Sequence, residues 1–157
     1  KDIGSYFFIG EIVTTAEFLY DDTSARDRCG ECTLCVDACP TGAICNDRTI
    51  DARRCLSYLT IEHDGNLPDE FSGKAENMIF GCDRCQEVCP WNKKAVQYTD
   101  KDLVPEFPVT SLTRREWQNM TPEDFKKIFR SSPIKRTGYK MLRRNIDFVS
   151  YRSPEKR

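Results

Sequence analysis

Nine cysteines in 157 residues constrain this chain more than any other feature, because seven of them fall into two runs of fixed spacing. The first run is Cys29-x-x-Cys32-x-x-Cys35-x-x-x-Cys39-Pro40. The second, Cys82-x-x-Cys85-x-x-x-Cys89-Pro90, lacks a leading cysteine, and Ile79 stands in its place. An odd count cannot pair fully into disulfides. No secretory signal opens the sequence, so a reducing compartment, the cytoplasm, is expected, and clustered thiols there bind metal. Two-residue gaps let a tight loop wrap three corners of one metal centre. The proline then turns the chain away, so that the fourth thiolate reaches a neighbouring centre.

That run is the one used by bacterial proteins that hold two [4Fe–4S] clusters, in which the fourth cysteine ligates the other cluster. Two cubes need about eight thiolates, and the motifs supply seven of them. Cys45 and Cys55 remain for the eighth place. Cys55 sits on a predicted helix that faces the core, whereas Cys45 follows Pro40 closely, just after a short strand. The assignment is therefore Cys29, Cys32, Cys35 and Cys89 for cluster one, and Cys39, Cys55, Cys82 and Cys85 for cluster two. Cys45 is expected to be a small buried hydrophobe. Zinc is the competing metal, but it favours isolated CxxC pairs or Cys/His mixtures, and His63 is the only histidine.

The formal net charge of -1 hides a strong asymmetry. Residues 126–157 carry eleven Lys or Arg against Asp147 and Glu155, so the rest of the chain is acidic. A basic tail of this kind is suited to a polyanion. Aromatics make up 11% of the chain, too many for wholesale disorder. No apolar run approaches the roughly 20 residues of a membrane span.

Residues 4–15, aromatic and β-branched with Gly10 inside, read as a buried strand with a bulge. Asp21 to Asp27 reads as loop, and Asn46-Asp47 as the turn of a small hairpin. A helix is predicted from Asp51 to about Glu62. Residues 98–110 look like a linker. Thr113-x-x-Glu116 and Thr121-Pro122 start two short helices, and Ser132-Pro133 starts a third. On that last helix Ile134, Met141, Leu142 and Val149 form an apolar stripe, while Arg136, Lys140, Arg143 and Arg144 share another face. The expected fold class is α+β, a dicluster ferredoxin-like domain with a helical C-terminal extension. Its parts are a strand region over 1–20, the cluster domain over 21–97, and a linker with a basic extension over 98–157.

No second chemical constellation is visible: there is no phosphate-cradling glycine loop, no GxSxG and no second histidine. The chain nevertheless resembles the C-terminal half of epoxyqueuosine reductase, a cobalamin-dependent iron–sulfur enzyme of tRNA modification. The resemblance is carried by Phe7-Phe-Ile-Gly-Glu-Ile12, Arg53-Arg-Cys-Leu-Ser-Tyr-Leu-Thr-Ile-Glu62 and Gly81-Cys-Asp-Arg-Cys-Gln-Glu-Val-Cys-Pro-Trp-Asn92. Ser132-Pro-Ile-Lys-Arg-Thr-Gly138 and Arg143-Arg-Asn145 add to it.

The resemblance implies a two-electron deoxygenation of epoxyqueuosine to queuosine at the tRNA wobble base. Clusters would pass single electrons from an external donor to cobalamin. By the family pattern Gly10, Ser57 and Asp83 touch the corrin, and the catalytic acid lies in an N-terminal half outside this sequence. The chain is thus expected to be a fragment, monomeric and without a membrane partner. A stand-alone ferredoxin-like carrier and the dicluster half of a reductive dehalogenase are the alternatives. The basic tail argues against the latter, since a small halogenated substrate gives no reason for it.

Overall fold

The computed structural model describes residues 4–21, 27–95 and 104–150. Most of the expected 21–27 loop, the start of the 98–110 linker and the basic residues Arg152, Lys156 and Arg157 lie outside the described residues.

Regular structure among the described residues is helical. Three short helices carry or follow cysteines: α1 (Leu34–Ala38), α2 (Leu56–Ile61) and α3 (Arg84–Glu87). Three more follow: α4 (Arg114–Gln118), α5 (Pro122–Ile128) and α6 (Ile134–Ser150). No strand of the expected β component is formed among the described residues. The one β pairing among the described residues is an isolated antiparallel bridge between Ile44 and Ile50. It closes the expected turn around Asn46 and Asp47, with Arg48 at φ 66°.

Residues 4–15 carry no regular structure, with no ladder and no bulge at Gly10. Phe8, Val13 and Leu19 in this region are almost fully exposed. The reason is that β-propensity measures fit to a pleated, half-buried surface. An extended segment becomes a strand only where another strand takes up its N–H and C=O groups, and the described chain offers none.

Two apolar clusters form the core, and α6 joins them. Leu56 and Leu59 of α2 pack with Leu67, Phe71 and Ala75, and Phe148 and Val149 of α6 lie against that cluster. Leu142 and Ile146 of α6 pack with Met120, Phe125 and Phe129 in the second. Burying Phe129, Leu142 and Ile146, none more than 2% exposed, stabilises by about 1.5–3 kcal/mol each. The basic extension is therefore docked on the cysteine-bearing part through contacts of α6 with α2.

Helix starts follow the local chemistry. Thr113 with Glu116, and Thr121 with Asp124, form reciprocal capping boxes, and Pro122 occupies the first turn of α5. The single helix expected over Asp51 to Glu62 is divided. Asp51 caps a 3-10 turn over Ala52–Arg54, Cys55 is extended at φ -74° and ψ 118°, and only then does α2 begin. Helix α6 is also interrupted, since Gly138 sits at φ 78° and ψ 159°. A side chain there would be strained, so glycine permits the break. The apolar and basic faces read across residues 134–149 are consequently not continuous.

Candidate iron–sulfur site

The loop from Cys29 to Thr33 and helix α1 place three thiols of the first run on one side of an open cleft of about 500 Å³. Helix α1 packs against α3, and α3 with the following turn brings Cys85 and Cys89 to the opposite side. The cleft thus gathers Cys29, Cys32, Cys35 and Cys89, the four residues expected to share cluster one, together with Cys85, expected in the other set. Cys29 and Cys32 are exposed, and Cys35 and Cys89 are partly buried. Cys45 is exposed and does not line the cleft, so it is not the buried hydrophobe expected from sequence. Its N–H is spent on Thr49 O at 2.9 Å in the bridged loop, which turns that loop away from the core.

The other four expected ligands are linked through Cys82 and Cys85, of which Cys85 also lines the cleft. Cys82 and Cys85 both lie within electrostatic reach of Cys39 and Cys55. Burial first, then the neighbouring thiolates, push the Cys82 and Cys85 thiols above their usual range. Cys39 is different. Burial pushes it up, but donors from Ala43, Thr41 and Ile44 outweigh burial and hold it below its usual range. The Ala43 N–H donates to Cys39 Sγ at 3.2 Å. Amides aimed at a sulfur stabilise the thiolate, which is the form that ligates metal.

Cys39 and Cys55 are brought together by a reciprocal clasp. Thr41 Oγ1 donates to Arg54 O at 2.6 Å, and Arg54 Nη2 donates to Thr41 O at 2.8 Å. Among the described residues no three Cys, His, Asp or Glu side chains close up enough to hold a single metal ion. Thiols around a cube with an iron at each corner stand farther apart than ligands of one ion. Eight thiols gathered in this way fit two clusters: five line the cleft, and Cys85, one of those five, also interacts with Cys39, Cys55 and Cys82 beside it.

Charge and shape around these thiols are asymmetric. Arg48 pairs with Asp27 at 2.5 Å, and Cys29 and Cys35 are close enough to help hold its guanidinium charged. Asp83 is exposed at the N-cap of α3 and shares a groove of about 370 Å³ with Cys82. Ser57 lies in the first turn of α2, partly buried. Gly10 lies in the exposed, irregular N-terminal segment, with nothing within 4 Å of where a Cβ would stand. The structure therefore brings Asp83 to cluster-two ligands and leaves Gly10 apart from both sets.

The expected basic face is used unevenly. Arg144 donates to three main-chain carbonyls, His63 O at 2.6 Å, Gly65 O at 2.5 Å and Leu59 O at 2.9 Å. It caps the C-terminal end of α2, and its place in a phosphate-binding face is corrected accordingly. Arg136 pairs with Glu62, and Arg143 pairs with Asp147 and Gln118 O. Lys140 is exposed and makes no ion pair among the described residues.

Sequence reasoning also missed Ser5, Asn92, Thr60 and Asn145. The Arg143-Arg-Asn145 triplet was the available signal for Asn145, a polar residue inside an apolar helix stripe. No pattern in the sequence marks the pairing of Ser5 with Asn92.

The family described as the 4Fe–4S double cluster binding domain matches residues 28–92. The epoxyqueuosine reductase of Cyclobacterium marinum is 46% identical over 149 residues, 95% of this chain and 47% of that protein. The solved structure of epoxyqueuosine reductase from Bacillus subtilis superposes with a TM-score of 0.73 at 36% identity, over 83% of this chain and 35% of that one. A crystal structure of epoxyqueuosine reductase with an epoxyqueuosine-modified tRNA stem loop gives a TM-score of 0.72, also at 36% identity, over 83% of this chain and 34% of that one. The chain spans about half the length of the curated relatives it matches. Over nearly its whole length the chain is similar in sequence to epoxyqueuosine reductases, and within that stretch residues 28–92 match the double-cluster family.

Proposed function

We propose that this chain is the electron-delivery part of an epoxyqueuosine reductase, feeding electrons to the reduction of epoxyqueuosine to queuosine in tRNA. The observation that supports the proposal is the gathering of eight cysteines around α3, five lining the cleft and Cys82 and Cys85 within electrostatic reach of Cys39 and Cys55, all within the residues that match the double-cluster family. Cys29, Cys32, Cys35 and Cys89 would hold one cluster, and Cys39, Cys55, Cys82 and Cys85 the other. A [4Fe–4S] cluster supplies one-electron transfer at a potential set by charge, hydrogen bonds to sulfur and exposure.

The protein's own contribution is a directional path. Cys29 and Cys32 are exposed at the cleft, which suits entry from an external donor. Asp83 and Cys82 line a separate groove, which suits an acceptor on the opposite side. When bound, cobalamin supplies the two-electron chemistry at the epoxide. Asp83, Ser57 and Gly10 are the residues proposed to meet it. Lys140, Arg136 and Arg143 are the residues proposed to meet tRNA phosphates. Cytoplasmic location and a monomeric state belong to the same reading, as does the division into a leading segment, a cluster domain and a helical extension. No helix among the described residues is long and apolar enough to cross a membrane.

The test is anaerobic iron and sulfide analysis of the whole gene product, followed by turnover of an epoxyqueuosine-bearing tRNA stem loop with corrinoid added. About eight iron atoms per chain are expected, and Cys55→Ser should remove about half. Iron near four, zinc in its place, or full iron without turnover of the stem loop would overturn the proposal.

A further inference from the structure

Asn145 is fully buried, in the middle of α6, and its amide is completely used. Nδ2 donates to Thr60 O at 2.8 Å and to Ile79 O at 2.9 Å. Oδ1 accepts from Arg144 Nη2 at 2.8 Å. Thr60 is 2% exposed and bridges in turn. Its hydroxyl donates to Leu56 O at 2.6 Å and accepts from the Gly81 N–H at 3.0 Å.

Leu56 follows Cys55 directly, and Gly81 precedes Cys82 directly. Two buried side chains therefore fasten the backbone beside Cys55 to the backbone beside Cys82, across a gap that no regular pairing spans. A helix interior offers an asparagine little, since it competes with the backbone for hydrogen bonds. Burying its amide is favourable only because every donor and acceptor is met.

We infer that Asn145 and Thr60 are positioning residues that set the separation of Cys55 and Cys82, so that α6 is a structural part of the second cluster site. This rests on the proposal that these two thiolates share a cluster. The hydrogen bonds of this network end at Leu56, Ile79 and Gly81 and reach no residue beside Cys29, Cys32, Cys35 or Cys89, so its effect is confined to one cluster. A small loss of register at Thr60 shifts one thiolate relative to the other. The cube does not stretch to follow, and the site then fails to assemble or assembles with an altered environment.

The test uses the whole gene product, reconstituted anaerobically, with iron content and the electron paramagnetic resonance of each reduced cluster as readouts. Cys29→Ser and Cys55→Ser identify which signal belongs to which site. Thr60→Val, which keeps shape and removes the hydroxyl, and Asn145→Ala should each lose or shift the Cys55-dependent signal and keep the Cys29-dependent one. Iron should fall from about eight towards about four per chain. Thr60→Ser should restore the wild-type signal. Phe129→Leu, in the second apolar cluster, controls for general destabilisation. The inference is overturned if Thr60→Val and Asn145→Ala keep both signals unchanged. It is also overturned if they lose both together, as an unfolding variant does. If Cys55→Ser itself leaves iron intact, the assignment of Cys55 falls, and the inference falls with it.

Discussion

Asn92 holds Ser5 from both sides. The Ser5 N–H donates to Asn92 Oδ1 at 2.6 Å, and Asn92 Nδ2 donates back to Ser5 Oγ at 2.8 Å. The same amide donates to Gln86 O at 2.6 Å. The start of the described chain is thus pinned beside Cys85 and Cys89, where Ser5 forms part of the cleft wall.

Removing this clasp should uncover the first cluster site. Asn92→Ala leaves the Ser5 N–H without its partner and takes one donor from Gln86 O, which keeps the Cys89 N–H. We expect the Cys29-dependent cluster to be lost faster to an iron chelator, while the Cys55-dependent one keeps its wild-type rate. Gly4→Ala should act in the same direction. Gly4 has φ 69°, and a Cβ there would collide with the Asn92 side chain. Equal chelation rates in wild type and both variants would show that the clasp does not guard the cleft.

Arg48 is the cation facing Cys29 and Cys35. A positive charge nearby favours the more negative, reduced form of a cluster. Arg48→Gln should therefore move the potential of the Cys29-dependent cluster to a more negative value and leave the other in place. Spectroelectrochemical titration measures both in one sample. Because Asp27 pairs with Arg48, Asp27→Asn should give the opposite sign.

The cysteine runs were legible in the sequence because covalent spacing is itself the ligand geometry. Gaps of two and three residues do not depend on what the rest of the chain does. Caps at Thr113 and Thr121 were legible for the same reason, since the partner groups lie within one turn. Cys55 was placed on a helix because the apolar spacing around it is continuous, while its extended backbone comes from the clasp between Thr41 and Arg54. Arg144 was read as a surface cation because its partners, Leu59, His63 and Gly65, are about 80 residues away. Residues 4–15 carry a strand's composition without a strand's partner. Composition records what a segment can bury, and pairing decides whether it does.

The box at α5 gives a prediction with a pH sign. Thr121 accepts from the Asp124 N–H at 3.1 Å, and the Asp124 carboxylate accepts from the Thr121 N–H at 3.0 Å. The Thr121 hydroxyl first, then that N–H, hold the Asp124 carboxyl below its ordinary 3.8. A carboxyl depressed on folding contributes stability that is complete above the unfolded value and lost as pH falls through the folded one. Amide exchange protection of α5, corrected for intrinsic rates, should be level from about pH 7 to 5 and decline below about pH 4. Thr121→Ala should cost about 1 kcal/mol at neutral pH by denaturant unfolding.

The basic residues of α6 can be separated by what they touch. Arg144 spends its donors on the carbonyl end of α2, and desolvation first lowers its pKa, against the pull of Asp64. Arg144→Ala should leave those carbonyls without a partner and cost about 2 kcal/mol of stability. Lys140 is exposed, so Lys140→Ala should leave the melting temperature within about 1 °C of wild type, as surface changes away from special features do. If Lys140 meets a phosphate, its removal flattens the salt dependence of tRNA stem-loop binding by about 0.7–0.9 in log–log slope. Arg136 and Arg143 already hold Glu62 and Asp147. Each must exchange a carboxylate for a phosphate, so each should contribute a shallower slope than Lys140. Binding measured from low to moderate salt for the three single variants gives the ordering directly. Unchanged slopes in all three variants would assign α6 wholly to holding the cluster-bearing helix, with no part in tRNA contact.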